Sequence, residues 1–299
     1  MATTLDGKVV LITGGSAGIG KAAAKLFAEA GASVALAARG AERGQRVEHE
    51  LRQAGLDVRF VQADVSRSEQ VKSLIAQTVE QFGRLDCAFN NAAVLGKNTR
   101  TADFSEADFD AEVASNLKSV WFCMKYELQQ MQSQEPRGGV IVNTSSVNGL
   151  GGARGAALYS MSKAGILGLT KSAAQEYAAD GIRVNALVAG GFDTELLHNA
   201  VSQAVGGDAA KIEAVLKGFV GMVPAGRIGR PDEAAQAALW LCSDAASYVT
   251  GLSMIVDGGE SPRDIASTIV DLTSDDGHWR ILRQGAIAYD DIAELLGQE

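Results

Sequence analysis

Apolar and polar positions follow two different periods along this chain, one typical of buried strands and one typical of amphipathic helices. Residues 8–12 form a short run rich in β-branched side chains, which predicts a strand buried on both faces. From residue 22 onward, apolar residues recur at steps of three and four, which predicts a helix. Gly31 stands where that helix would end. The chain therefore opens on a strand followed by a helix.

The same alternation continues to residue 256. Further strands are predicted at 33–38, 58–62, 85–90, 139–144, 182–187 and 253–256. Further helices are predicted at 41–54, 68–82, 107–131, 159–179 and 231–241. Strand–helix alternation with short connections favours right-handed crossovers, so we expect an α/β fold with a parallel sheet of about seven strands and helices on both faces. Residues 192–226 contain irregular helical pieces broken by Gly206, Gly207 and Gly218, a composition suited to a mobile cover over a site.

A glycine-rich turn joins the first predicted strand to the first predicted helix. Its sequence is Thr13-Gly14-Gly15-Ser16-Ala17-Gly18-Ile19-Gly20. Glycine suits this turn because a Cβ would hold a pyrophosphate away from the backbone N–H groups and the positive end of the helix. A plain Gly-rich turn is the alternative, and the position at the start of a strand–helix series weakens it. We expect dinucleotide contacts from Gly14, Ser16, Gly18, Ile19 and Gly20.

The spacing of these glycines resembles that of the short-chain dehydrogenase/reductase family, and further motifs follow in that family's order. They are Asp64-Val65, Asn90-Asn91-Ala92, Asn116, Ser145-Ser146 and Tyr159-x-x-x-Lys163. The resemblance runs from about residue 5 to residue 259. It implies a Rossmann-type, doubly wound parallel sheet in a single domain, residues 1–259, that binds a dinucleotide and carries the catalytic site. It also implies an NAD(P)-dependent oxidoreductase that interconverts a secondary alcohol and a ketone.

The resemblance assigns adenosine contacts to four residues. The Asp64 side chain and the Val65 backbone would contact adenine, while Asn90 and Ala92 would border the adenosine ribose. Turn chemistry is the alternative, since Asp and Asn shape turns and cap helices.

The loop that begins at Gly190 meets the nicotinamide in the family. We expect cofactor contacts from Gly190, Phe192 and Thr194, and Thr194 resembles the family's carboxamide-binding threonine. Its alternative role is the N-cap of the next helix. The expected pocket walls are apolar and suit a moderately hydrophobic secondary alcohol or ketone: Val94, Leu95, Leu150, Leu158, Phe192, Leu196 and Leu197.

Tyr159 and Lys163 are four residues apart, so a helix places them on one face, one turn apart. A phenol with a pKa near 10 is a poor base at neutral pH, and we expect the neighbouring ammonium to lower that pKa. Tyr159 would then take a proton from an alcohol or give one to a carbonyl oxygen. Such a pair also occurs by chance on helix faces, so its weight depends on the other motifs.

The resemblance completes the catalytic set. Lys163 would also bond the nicotinamide ribose. The family's thirteen-residue step to Tyr159 selects Ser146 as the residue that bonds the substrate oxygen, and it leaves Ser145 a structural role. Asn116 would interrupt its helix and hold a water that leads from Lys163 to solvent. A serine pair after a strand is otherwise an ordinary turn or N-cap.

The second strand ends in Ala37-Ala38-Arg39, and this end bears on the choice of cofactor. An acidic residue there would bond the ribose hydroxyls and repel a 2′-phosphate, whereas arginine attracts that phosphate. With no carboxylate at the tip, we expect NADP(H) in preference to NAD(H). A solvated surface arginine is the alternative interpretation of Arg39.

Composition and charge limit the kinds of partner that this chain is expected to bind. The formal net charge is −9 and the basic residues are scattered, so neither nucleic acid nor a membrane is an expected partner. The N-terminus has no signal stretch, and we expect a cytoplasmic protein. The cysteines, Cys87, Cys123 and Cys242, lack metal-ligand spacing, so we expect buried thiols and no metal site.

Residues 260–299 extend beyond the family pattern. The strings at 267–271 and 280–287 resemble the closing stretch of a threonylcarbamoyl-AMP synthase domain, but the rest of that domain is missing, so we assign no such activity. This C-terminal extension is a genetic remnant, a disordered tail or an arm that packs on a neighbouring subunit. Its alternating Ile, Val and Leu argue against complete disorder.

Two hypotheses on function stay open. The first is a working oxidoreductase on a small-molecule alcohol or carbonyl substrate, with Tyr159 as general acid and base. The second is a non-catalytic, dinucleotide-sensing binding protein on the same fold. The presence of Asn116, Ser146, Tyr159 and Lys163 together favours the first. Helices 107–131 and 159–179 resemble the family's dimer-forming pair, which implies a homotetramer or homodimer.

Overall fold

The computed structural model describes residues 4–259, 269–271 and 280–283. Backbone contacts divide the chain into two units, Met1–Gly258 and Gly259–Glu299. In the second unit, the described residues form two short antiparallel strands, Ile269–Asp271 and Arg280–Arg283. Residues 267, 268 and 284–287 of the strings behind the resemblance of the tail lie outside the described ones, and that resemblance stays a prediction.

The first unit is built on a seven-stranded parallel sheet. Its strands are β1 (Val9–Thr13), β2 (Ser33–Ala38), β3 (Val58–Gln62), β4 (Cys87–Asn90), β5 (Gly139–Ser146), β6 (Ile182–Ala189) and β7 (Ser253–Val256). They pair in the order β3-β2-β1-β4-β5-β6-β7. The chain adds strands outward from β1 on one side of the sheet and outward from β4 on the other. A crevice therefore opens at the carboxyl ends of β1 and β4. This order confirms the predicted doubly wound, Rossmann-type fold.

The helices connect these strands and cover the sheet. They are α1 (Gly18–Glu29), α2 (Ala41–Gln53), α3 (Ser68–Phe82), α4 (Glu106–Glu112), α5 (Ser119–Ser133), α6 (Asn148–Gly151), α7 (Ala157–Tyr177), α8 (Glu195–Ala204), α9 (Ala209–Met222) and α10 (Pro231–Cys242). Between α4 and α5, Val113–Lys118 forms a π-helical turn. No helix in the described part of the chain is long and apolar enough to cross a bilayer.

One predicted segment differs from the structure. We expected irregular pieces at residues 192–226, but the chain forms two regular helices there, α8 and α9. Gly206 and Gly207 do separate them, with φ of 67° and 78°. Gly218 lies inside α9 and does not break it, because one glycine costs a helix only about 1 kcal/mol.

Two apolar layers enclose the sheet. On one face, Phe27 of α1 and Leu239 of α10 pack on the strands, and on the other face Leu74 of α3, Leu128 of α5 and Ile166 of α7 do so. All five residues of β1 are buried, as expected for a strand covered on both faces. This packing holds the carboxyl ends of the strands in a rigid frame.

The three cysteines are buried thiols, as predicted. Cys87 and Cys242 are distant in sequence, but the Cys87 thiol donates a hydrogen bond to the Cys242 carbonyl at 3.5 Å. Burial raises the pKa of Cys123, and a hydrogen bond from the Cys242 thiol to Cys87, together with burial, raises that of Cys242. Cys123 and Cys242 therefore stay protonated at neutral pH.

Candidate active site

The glycine turn leads from β1 into α1 at the crevice. Gly14 and Gly18 have φ of 69° and 51°, a left-handed backbone that favours glycine. A Cβ on Gly14 would lie 2.8 Å from the Ala92 Cα, and a Cβ on Gly20 would collide with the Gly14 carbonyl oxygen. The turn therefore tolerates no side chain at these points, and its backbone N–H groups stay open to a pyrophosphate.

A cleft of about 460 Å³ lies above this turn, at the carboxyl ends of β1 to β4. It brings together six of the predicted cofactor contacts: Gly14, Ser16, Arg39, Asp64, Val65 and Ala92. A second cavity of about 560 Å³ continues from Gly14 toward α8. Gly18, Ile19 and Thr194 line that second cavity. The dimensions and the glycine floor fit an extended dinucleotide.

Thr194 caps α8 and also lies beside the cleft. Its hydroxyl accepts a hydrogen bond from the Leu197 N–H at 3.4 Å and so caps α8. Its methyl group lies over the glycine turn, 3.1 Å from the place of a Cβ on Gly18. The cap and the position beside the cleft are therefore compatible.

Two arginines line both cavities, Arg39 after β2 and Arg43 in the first turn of α2. Burial raises the pKa of Asp64, but hydrogen bonds from Ser66 outweigh it, and with the charge of Arg39 they give a pKa below the ordinary value. Arg43 forms an exposed ion pair with Glu195 of α8 at 2.7 Å. Arg43 was not among the predicted contacts, although its four-residue step from Arg39 was a usable signal.

Six predicted contacts line neither cavity: Gly20, Asn90, Tyr159, Lys163, Gly190 and Phe192. The Asn90 side chain is 2% exposed and donates hydrogen bonds to Glu127 at 2.9 Å and Asn143 at 3.1 Å. Phe192 belongs to the apolar core. A Cβ on Gly190 would lie 2.6 Å from the Asp257 Cα, so Gly190 serves a close backbone approach. Their roles as cofactor contacts stay predictions.

Glu127 is a buried carboxyl group beneath the crevice. Burial raises its pKa from 4.5 to about 8, although the hydrogen bond from Asn90 lowers it. Among the residues that the structure describes, Glu127 Oε1 has no hydrogen-bond partner. The group is therefore protonated at neutral pH in the folded protein and ionised in the unfolded chain.

The elevated pKa of Glu127 predicts a pH-dependent loss of stability. Since the folded pKa exceeds the unfolded one, the folded state loses stability as pH rises from 4.5 toward 8. At about pH 8, we expect the free energy of unfolding of Glu127→Gln to exceed that of the wild type by at least about 1 kcal/mol. At about pH 4.5, the two free energies should differ little. Urea unfolding at both pH values measures this. The exposed Glu80→Gln is the control, and an equal gain in both variants would contradict the prediction.

The four predicted catalytic residues converge beside the crevice. On α7, the Lys163 ammonium lies 5.6 Å from the centre of the Tyr159 ring. It donates a hydrogen bond to the Thr144 carbonyl of β5 at 3.0 Å. The Ser146 hydroxyl, at the end of β5, is hydrogen-bonded to the Tyr159 hydroxyl. Asn116 lies in the π-helical turn, so its helix is interrupted there as the family resemblance implied.

The pKa of Tyr159 differs from our expectation. We predicted that Lys163 lowers it, but burial raises it to about 12; the Ser146 hydrogen bond lowers it and the charge of Glu112 raises it. The same burial lowers the pKa of Lys163 to about 8, while Glu112 raises it. The ammonium is visible in the sequence, but the loss of solvent around both groups is not. At neutral pH Tyr159 therefore holds its proton, as a donor to a carbonyl oxygen must.

Two neighbours hold this group in place. Ser145 is buried, and its hydroxyl donates to the Lys163 carbonyl at 2.8 Å, which ties β5 to α7. Glu112 at the end of α4 accepts hydrogen bonds from Asn116 and Ser162. Glu112 was not among the predicted site residues, because a glutamate on a helix is ordinarily exposed.

Known proteins that are similar to this chain support the interpretation of this site as an active site. A family model described as enoyl-(acyl carrier protein) reductase matches residues 14–261. The chain is 40% identical over 255 residues to a 2,5-dichloro-2,5-cyclohexadiene-1,4-diol dehydrogenase of Sphingobium indicum, a match that covers 85% of this chain and 97% of that protein. It is 37% identical over 258 residues to a cyclohexanol dehydrogenase of an Acinetobacter species, with coverages of 86% and 96%.

A solved structure gives the same result. The crystal structure of levodione reductase matches with a TM-score of 0.81 and 35% identity, covering 86% of this chain and 98% of that one. The relatives are dehydrogenases and reductases of alcohol and carbonyl groups, and their family implies a nicotinamide cofactor. This chain belongs to the short-chain dehydrogenase/reductase family and is an oxidoreductase that acts on CH–OH or C=O groups.

Proposed function

We propose that this chain interconverts a ring-bearing secondary alcohol and its ketone, with NADP(H) as cofactor. The observation that carries the proposal is the approach of the Ser146 and Tyr159 hydroxyls beside the buried Lys163 ammonium. The bound nicotinamide supplies or accepts the hydride. In reduction, Tyr159 gives its proton to the carbonyl oxygen as the carbon–hydrogen bond forms. In oxidation, Tyr159 takes the hydroxyl proton as the hydride leaves the carbon with its electron pair.

The other catalytic residues have supporting roles in this proposal. Ser146 donates a hydrogen bond to the substrate oxygen and stabilises the negative charge that develops there. Lys163 bonds the nicotinamide ribose next to Tyr159. Asn116 holds the water that links Lys163 to solvent. The oxygen and the nitrogen of its side-chain amide both bond the Val94 backbone.

The proposed preference for NADP(H) rests on Arg39 and Arg43. Both are exposed, both line the two cavities, and β2 ends without a carboxylate at its tip. Arg39 would fork onto a 2′-phosphate, and Arg43 stands one helical turn away to add a second positive charge.

Arg39→Asp is expected to reverse the cofactor preference. A charge-assisted hydrogen bond is worth about 1.5–3 kcal/mol, so NADPH affinity should fall about 10- to 100-fold. NADH affinity should rise, because a carboxylate at this place bonds the ribose hydroxyls. Fluorescence titration with each cofactor measures both constants. Arg46→Asp, on the outer part of α2, is the control and should leave the ratio of the NADPH and NADH affinities unchanged. An unchanged ratio in Arg39→Asp would contradict the proposed role of Arg39.

The proposed ring-bearing substrate rests on the relatives and on the walls. The names of two relatives specify a cyclohexanol and a cyclohexadienediol as substrates. Val94, Leu95 and Leu196 give the second cavity an apolar wall. Turnover of cyclohexanol against the open-chain hexan-2-ol tests this choice. A higher kcat/KM for the ring compound supports it, and equal or lower kcat/KM contradicts it.

We also infer a homodimeric or homotetrameric assembly in the cytoplasm. Phe109 of α4 and Trp121 of α5 support the assembly, because these large apolar side chains are 43% and 44% exposed near the helices expected to pair. The three cysteines are free, buried thiols, which suits a reducing compartment such as the cytoplasm.

A further inference from the structure

Glu112 is a buried carboxylate directly behind the catalytic group. It is 5% exposed and lies one helical turn before Asn116. Its Oε1 accepts a hydrogen bond from Asn116 Nδ2 at 2.5 Å and another from the Ser162 hydroxyl at 2.9 Å. A buried charge is costly unless it is paired and hydrogen-bonded. These donors, and the Lys163 ammonium next to Ser162 in the chain, make this position tolerable for a carboxylate.

Glu112 determines which way the Asn116 amide faces. The amide oxygen accepts the Val94 N–H at 2.9 Å, and Nδ2 donates to the Val94 carbonyl at 2.9 Å. The second proton of Nδ2 goes to Glu112. A flipped amide would aim its oxygen at the carboxylate and its nitrogen at the Val94 N–H, so only one orientation satisfies both neighbours.

The charge of Glu112 acts on both members of the proton-transfer pair. It opposes the effect of burial on the Lys163 ammonium and so favours its protonated form. It also disfavours the phenolate of Tyr159. Glu112 therefore influences this pair through its charge, while Asn116 and Ser162 hold it by hydrogen bonds.

A small cavity of about 120 Å³ lies on the other side of Glu112. Its walls include Val94, Leu158 and Ser115, and Lys97 and Asp108 form an ion pair of 3.4 Å at its edge. Its volume is sufficient for water, so Glu112 is in reach of solvent without facing the two cofactor cavities.

We propose that Glu112 is a positioning residue of the reaction, which orients the Asn116 amide and keeps Lys163 charged from within the protein. This inference rests on the proposed function of the same site. The charged or titratable groups that face Glu112 in the described residues are Lys97 and Asp108 across the cavity, and Tyr159 and Lys163 on α7. Because Lys97 and Asp108 pair with each other, Glu112 is the main charge that opposes the effect of burial on Lys163.

Glu112→Gln tests the proposal, since it keeps the shape and removes the charge. Ketone reduction in the wild type should decline at alkaline pH with a midpoint near the pKa of Lys163, about 8. Without the Glu112 charge, that midpoint should fall by about one pH unit. Glu112→Asp, which retains the charge, should restore the midpoint even if kcat falls. A purely structural role would lower kcat at every pH and leave the midpoint in place, and that result would overturn the proposal.

A second readout does not depend on turnover. In protein with carbon-13-labelled lysines, the ε-carbon signal of Lys163 reports its protonation and is assigned by its absence in Lys163→Met. The midpoint of this signal should fall in Glu112→Gln and stay unchanged in Asp108→Asn, which removes a charge from the same cavity. If the wild type reduces no ketone, the proposed function fails and this titration alone decides the role of Glu112. An unmoved Lys163 signal in Glu112→Gln would overturn that role.

Discussion

Tyr159→Phe is expected to lower kcat about 10²- to 10⁴-fold, the usual contribution of a general acid or base. Phenylalanine keeps the ring that faces Lys163 at 5.6 Å, so the packing of α7 should persist. It removes only the hydroxyl that bonds Ser146 and that gives or takes the proton. Cofactor affinity should therefore change no more than a few-fold.

Stopped-flow turnover and a cofactor titration on the same preparations separate these effects. Tyr126→Phe is the matched control. The Tyr126 hydroxyl is hydrogen-bonded to the Ser68 hydroxyl at 2.8 Å and takes no part in the catalytic group. That control should keep full activity. Wild-type turnover in Tyr159→Phe would show that another group transfers the proton.

Gly14→Ala is expected to impair cofactor binding and stability together. Two independent penalties coincide there, a backbone φ of 69° and a Cβ 2.8 Å from the Ala92 Cα. Left-handed strain costs alanine about 1–2 kcal/mol, and overpacking adds about 1–3 kcal/mol. Ala92 lines the main cleft, so a shift of this contact should weaken dinucleotide binding at least about tenfold.

Gly55→Ala separates the two penalties. Gly55 has φ of 82°, but no atom lies within 4 Å of the place of its Cβ. It should lose about 1–2 kcal/mol of unfolding free energy from strain alone and bind the cofactor normally. Urea unfolding and isothermal titration of both variants give the comparison. Normal cofactor binding by Gly14→Ala would show that the close approach to Ala92 does not shape the site.

Much of the fold was predictable because the sheet is buried on both faces. The structure places β2, β3 and β7 at residues 33–38, 58–62 and 253–256, as the apolar runs predicted. Regular helices at α8 and α9 were not predicted, because glycine frequency alone does not show where a helix tolerates a glycine. Gly218 is tolerated within α9, whereas positive φ at Gly206 and Gly207 ends α8.

The candidate site was predictable where family motifs supplied the spacing. Ser146, Tyr159 and Lys163 meet because β5 and α7 pack side by side, which follows from the fold. The direction of the Tyr159 pKa shift was not predictable, since it depends on how much solvent the packed helices exclude. Glu112 and Arg43 were missed for a related reason, because their significance comes from partners on other elements.

Transfer of a label tests the central claim, that this site moves a hydride between a carbon bearing oxygen and nicotinamide. Cyclohexanol carrying deuterium on its carbinol carbon is incubated with the protein and NADP⁺, and mass spectrometry reads the reduced cofactor. We expect reduced cofactor that carries one deuterium, with matching formation of cyclohexanone, and formation of both products at least about 100-fold more slowly with Tyr159→Phe. Reduced cofactor without deuterium, or equal label transfer by Tyr159→Phe, would contradict the claim.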